Sequence, residues 1–181
     1  MSTTAPDDRF CRTRTILNRG PSVVGIMIAC IVALVITSGL PARASLPYDQ
    51  LMSSAKRDIN RFWSTTLGRG YRPPSAVQPY SGTISTRCGK MTPANAHYCS
   101  TDNTIYYDSS FLKSQIELYG EYAAVHVLAH EWGHLIQAQI PLFSTGLNGR
   151  QIELQADCLA GAFAFEAAKL GMLEEGDLAA A

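Results

Sequence analysis

Between Arg19 and Arg43 the chain carries no charged side chain. The stretch S-V-V-G-I-M-I-A-C-I-V-A-L-V-I-T-S-G-L within it also lacks the polar stripe of a helix packed on a globular core, which excludes an ordinary amphipathic helix. About 19 apolar residues just cross a hydrocarbon layer of roughly 30 Å, so the segment reads as a membrane anchor. The alternative is a secretory signal, with a basic flank before it, an apolar run from Val23 to Ile36, and Ala42-Arg43-Ala44 as a small-x-small cleavage site. Both readings keep the basic flank in the cytoplasm and place the chain from about Ser45 onward outside. The expected organisation is a basic cytoplasmic tail over 1–20, an anchor or signal over 21–44, and a domain over 45–181. The expected location is the cell membrane, single-pass with the domain outside, or the exterior after cleavage near Ala44. Cys30 is not a lipid-attachment cysteine, because the apolar run continues past it.

A surplus of positive charge is also missing. Fifteen bases meet fifteen acids, and five of the bases fall before Ser45, which leaves a mildly acidic body. Without a basic patch there is no electrostatic footprint for nucleic acid, and that class of partner is excluded. There is no internal repeat and no low-complexity tract, and the composition is that of a globular domain. No strand–helix–strand rhythm appears, so a doubly wound parallel sheet is excluded. Cysteine is scarce. Of five, Cys11 lies in the basic tail and Cys30 in the apolar run, leaving Cys88, Cys99 and Cys158 for the domain. Cys88 and Cys99 flank a turn-rich loop holding Gly89, Pro93 and Asn95; outside the cytoplasm a disulfide is the natural reading, the alternatives being free thiols or half a metal site. Cys158 lies in an apolar helical run and reads as a small core residue.

What is present is mainly helical. Leu51, Ala55, Ile59, Phe62, Trp63 and Leu67 recur on one face of a helix predicted over Tyr48–Leu67, ended by Gly68, Gly70 and Pro73-Pro74. Residues 75–104 predict irregular structure with short strands near Ala76–Gln78 and Gly82–Ser85, and Thr104–Tyr107 predicts a strand. Asp108-Ser109 can cap a brief helix that stops at Gly120. A long helix is expected over about Glu121–Gln139 and a last one over about Gln151–Leu170.

The long helix carries H-V-L-A-H-E-W-G-H-L-I-Q. His130 and His134 stand four apart, one turn on the same face, where two imidazoles can grip one zinc ion while Glu131 holds the water it polarises. A catalytic zinc needs a third protein ligand. The last helix offers Glu153, and Asp157 one turn on can accept a hydrogen bond from a ligand imidazole. His126, one turn before His130, reads as a core or supporting histidine, since three ligands suffice. His97, near Cys99, reads as a loop residue, the alternative being that it lines the site. Ala160, Gly161, Ala162 and Ala164 predict close packing of the last helix on the histidine helix.

H-E-W-G-H-L-I-Q followed by E-L-Q-A-D-C-L-A-G resembles the bacterial neutral zinc metallopeptidases, a membrane-anchored, gluzincin-like family. Arg61-Phe62-Trp63, Gly70-Tyr71-Arg72-Pro73, Cys88-Gly89, Tyr98-Cys99 and Ile105-Tyr106-Tyr107-Asp108 with Phe111 fall in the family's order, and the likeness covers about Leu51 to Asp177. It implies an α+β, zincin-like domain, mostly helical with a small sheet. It further implies an endopeptidase acting on a peptide or protein substrate with Zn2+ held by His130, His134 and Glu153, and Glu131 as general base. Thr104–Tyr107 is then the candidate edge strand for aligning an extended peptide. Two positions depart from the family pattern: Leu135 stands where a further histidine is common, and His126 where an aromatic is common. The family continues past Gly176-Asp177 while this chain ends at Ala181, so a domain short at its C-terminus is expected. The rival reading is a catalytically silent zinc-binding domain that binds an envelope protein or peptide.

Overall fold

The computed structural model describes residues 45–140 and 145–173; the candidate anchor and the basic tail lie outside the described residues. Among the described residues four α-helices, α1 (Tyr48–Leu67), α2 (Ser109–Tyr119), α3 (Glu121–Gln139) and α4 (Gly149–Lys169), combine with five short strands around one large and one small cluster of buried side chains. The strands are β1 (Ala76–Tyr80), β2 (Ile84–Thr86), β3 (Gly89–Met91), β4 (Ala96–Cys99) and β5 (Thr104–Asp108). The architecture is α+β, mostly helical. Among the described residues no helix is long and apolar enough to cross a membrane.

The apolar face of α1 drives its packing: Leu51, Met52, Ala55, Ile59 and Trp63 are buried against Leu128, Trp132, Leu135 and Ile136 of α3 in one cluster. Burial of large side chains such as these is the main favourable term in holding the layers together. The α4 helix meets α3 with a different surface. Ala156, Ala160, Ala164 and Ala167 are buried with Phe163, whose ring lies 5.7 Å from that of Phe62. Small side chains let the two backbones approach closely. A Cβ on Gly133 would sit 2.8 Å from the carbonyl oxygen of Ala156, so only glycine fits there. The small-residue surface is thus offset from the expected one, and Gly161 points into open space. Cys158 is half-buried, at the edge of this packing rather than inside it.

The sheet has the order β1-β5-β4, with β1 parallel and β4 antiparallel to β5. Every residue of β5 is buried, Ile105 and Tyr107 in the helical core, Tyr106 in a second cluster with Tyr80, Met91 and Cys99. The expectation that Thr104–Tyr107 is an edge is therefore wrong. Its β-branched and aromatic residues mark the centre of the sheet, and β4 is the edge beside α3. Neither β3 nor β4 was foreseen, because three- and four-residue strands are too short for alternation to show. The β2–β3 hairpin is joined to β4 by the Cys88–Cys99 disulfide.

Asp108 ties sheet to helix. Fully buried, it accepts hydrogen bonds from Ser110 N (2.8 Å) and from Ala94 N (3.0 Å), so one carboxylate caps α2 and pins the turn before β4. These bonds, the Ser110 side chain first, hold its pKa below the ordinary carboxylate value despite burial.

Candidate metal centre

The α3 and α4 helices bring three electron-pair donors to one point. His130 Nε2 and His134 Nε2 are 3.1 Å apart, and Glu153 Oε2 lies 3.2 Å from the first and 3.3 Å from the second. The four-residue spacing stacks the two rings on one helical face. The Gly133–Ala156 contact sets how near α4 can bring Glu153.

The outer partners select the tautomer of the neutral rings. Asp157 Oδ1 lies 2.7 Å from His130 Nδ1, and a carboxylate can only accept, so Nδ1 donates and, in the neutral ring that can ligate a metal, Nε2 keeps its lone pair. The same holds for His134, whose Nδ1 is 2.8 Å from Gln137 Oε1. That amide's orientation is itself determined: Gln137 Nε2 donates to the Ile152 carbonyl (2.8 Å) and to Gln155 Oε1 (3.0 Å), which turns Oε1 toward the imidazole. Two imidazole lone pairs and a carboxylate facing each other at these distances repel unless a cation lies between them. Zinc bonds of roughly 2.0–2.2 Å in a tetrahedron need ligand atoms about 3.3 Å apart, close to the separations found. The donor set and its spacing fit zinc, and these three residues form a group that could hold a metal ion. Glu153 is exposed, so the site opens to solvent, as a centre with a free coordination position requires.

Glu131 is buried beside this group, and its Oε2 accepts a hydrogen bond from the backbone N–H of Tyr98 on β4 at 2.7 Å. Burial pushes its pKa up to about 7, against the lowering effect of His134 and of the Tyr98 N–H. His126 does not join the metal-binding group. It is half-buried one turn earlier, with Nδ1 enclosed and lacking a partner, and burial lowers its pKa. His97 lies on β4 rather than in a loop. Its pKa is lowered by burial and then by the charge of His134, and raised by Glu153, so it stands near the metal group. Gln137 was missed by sequence reasoning. The sequence offered only its place three residues after His134 on the same helix, which does not say what its amide meets.

A two-histidine, one-glutamate group with an adjacent glutamate, carried on packed helices beside a small sheet, defines the zinc-peptidase class of site. Residues 42–181 match the model of the family described as "Putative neutral zinc metallopeptidase", and the chain belongs to that family. It is 33% identical over 129 residues to the uncharacterized protein YpfJ of Escherichia coli (strain K12), covering 62% of this chain and 45% of that one. It is 32% identical over 122 residues to the uncharacterized protein Rv2575 of Mycobacterium tuberculosis (strain ATCC 25618 / H37Rv), covering 60% and 41%. The chain therefore spans less than half the length of the curated relatives it matches. No solved structure matches it.

Proposed function

We propose that this chain is a zinc-dependent endopeptidase, with zinc held by His130, His134 and Glu153 and with Glu131 as general base. The observation that carries the reading is the convergence of three donor atoms within 3.3 Å, with the two Nε2 atoms facing one another. Bound there, zinc would polarise a peptide carbonyl and lower the pKa of a coordinated water toward about 7. Glu131 keeps one oxygen on the Tyr98 N–H and has the other available to take the proton of the attacking water. A carboxylate with a raised pKa is a stronger base than an ordinary one and takes that proton from water more readily, before handing it to the departing amine. Asp157 and Gln137 hold the imidazoles in the ligand tautomer.

β4 supplies the edge that β5 cannot. Asn95 O accepts from Asp108 N, so the odd-numbered residues of this segment face β5, while the Tyr98 N–H points the other way, to Glu131. Alternation then turns the N–H and C=O of Ala96 outward too, unpaired among the described residues and free to align an extended peptide. We further propose export or anchoring by residues 21–44, a reading supported by the disulfide, which suits an oxidising compartment.

The test is digestion of unfolded casein by the zinc-loaded full chain in detergent, with and without chelator, beside Glu131→Gln. The exchange keeps size and hydrogen-bonding reach and removes the base, so proteolysis should fall by about 10²–10⁴ with zinc content unchanged. Should wild type and Glu131→Gln be equally inert at full zinc occupancy, the silent zinc-binding reading replaces this one.

A further inference from the structure

A cavity of about 270 Å³ opens beside the metal centre, lined by Asn95, Ala96, Phe111, His126, Val127, His130 and Glu131. It falls just below the roughly 300–1,000 Å³ of sites that enclose a whole small molecule, and suits a single side chain. His130 and Glu131 close one end. Val127 and His126 lie about one helical turn, roughly 5 Å, further toward the start of α3, so they form the far end. Ala96, Phe111 and Val127 give apolar walls, each half-buried against the core and so held in place.

His126 makes the far end polar. Its Nδ1 is enclosed without a hydrogen-bond partner. A proton there would be a buried, unpaired N–H, which costs more than an unpaired lone pair, so the neutral ring carries its hydrogen on Nε2. That leaves Nε2–H as the donor available to an occupant. The neighbouring charges are Asp157 and His130.

The entrance is equally specific. Ala96 lines the cavity and is also the β4 residue whose main-chain groups face outward. A peptide lying on that edge has alternate side chains turned to opposite faces, and one of them meets the mouth of the cavity beside Glu131. We propose, building on the peptidase reading, that this cavity is the side-chain subsite of the centre and selects an uncharged side chain with an apolar body and a hydrogen-bonding tip, tyrosine foremost. Phe111 and Val127 bound the body, and His126 reads the tip.

The experiment is a digest of a mixed peptide library by the zinc-loaded full chain, comparing wild type, Val127→Phe and His126→Leu. Wild type should favour tyrosine at one position next to the cut by about tenfold or more over glycine and aspartate. Val127→Phe should move that preference to glycine and alanine. His126→Leu should equalise tyrosine and phenylalanine while keeping both above glycine. A wild-type map without positional preference, or one unchanged in both variants, overturns the assignment. If wild type cuts nothing, the peptidase reading fails by itself. The cavity is then judged by calorimetry with three hydroxamates, those of acetic acid, 3-phenylpropanoic acid and 3-(4-hydroxyphenyl)propanoic acid. The last should bind at least about tenfold tighter than the first, and Val127→Phe should abolish the difference; equal affinities overturn the proposal.

Discussion

Gln137 shows how much of the centre rests on single side chains that are not themselves candidate ligands. Its amide turns one end to His134 and the other to the α4 backbone at Ile152, so it orients an imidazole and ties the two helices together. Gln137→Leu keeps the volume and removes both functions. Zinc affinity, followed by competition with a chromogenic chelator, should fall about 10–100-fold. Metal analysis should find near one zinc per chain in the purified wild type, and Glu153→Ala should go further than Gln137→Leu and leave the protein without it. Retention of wild-type zinc in Glu153→Ala would remove that carboxylate from the site. At this scale the spacing of His130, His134, Glu153 and Asp157 was legible from the sequence, because four-residue intervals on helices translate directly into shared faces. Gln137 was not, because nothing in a buried glutamine's own sequence context says which neighbour its amide meets.

The elements are held in register by two contacts that no periodicity reveals. At Gly133 an added Cβ would meet backbone atoms of Ala156 at 2.8 and 3.0 Å, and backbone cannot swing aside as a flexible side chain can. Alanine favours a helix over glycine by about 1 kcal/mol, yet Gly133→Ala should destabilise by a net 1–3 kcal/mol, because α4 must move outward. Thermal unfolding gives the first effect, and a weaker zinc titration gives the accompanying displacement of Glu153. Asp108 is the second contact. Because its folded pKa is lowered, the stability it contributes is fully present above its ordinary value near 4. That contribution disappears as pH falls through the lowered folded value. Asp108→Ala leaves the Ser110 and Ala94 N–H groups without their acceptor and should cost about 1–3 kcal/mol at neutral pH. Urea unfolding at pH 7 and pH 3 should show the gap to wild type narrowing at the lower pH. The helices were legible because each spans several turns of apolar recurrence. The role of β5 was misread because an apolar five-residue run looks the same at the centre of a sheet as at its edge, and only the pairing distinguishes them.

For the molecule as a whole, the Cys88–Cys99 disulfide is the link between chemistry and compartment. It fastens the β2–β3 hairpin to the strand whose Tyr98 N–H supports Glu131. Both cysteines should be found oxidised in protein taken from the cell envelope, by mass spectrometry after alkylation without reduction; recovery of both as alkylated thiols would count against export. Closing so short a loop should contribute about 2–3 kcal/mol, visible as a lower unfolding midpoint when the bond is reduced. The sequence by itself determined the helical framework and the candidate metal-binding residues. Those depend on local periodicity and residue chemistry, which are properties of the chain order alone. Tertiary structure alone decided that β4 rather than β5 borders the centre, that Gln137 sets the second imidazole, and that Ala96, Phe111, His126 and Val127 enclose a cavity beside Glu131. Each of these depends on which distant segments touch, and contact between segments is settled by packing the whole core at once.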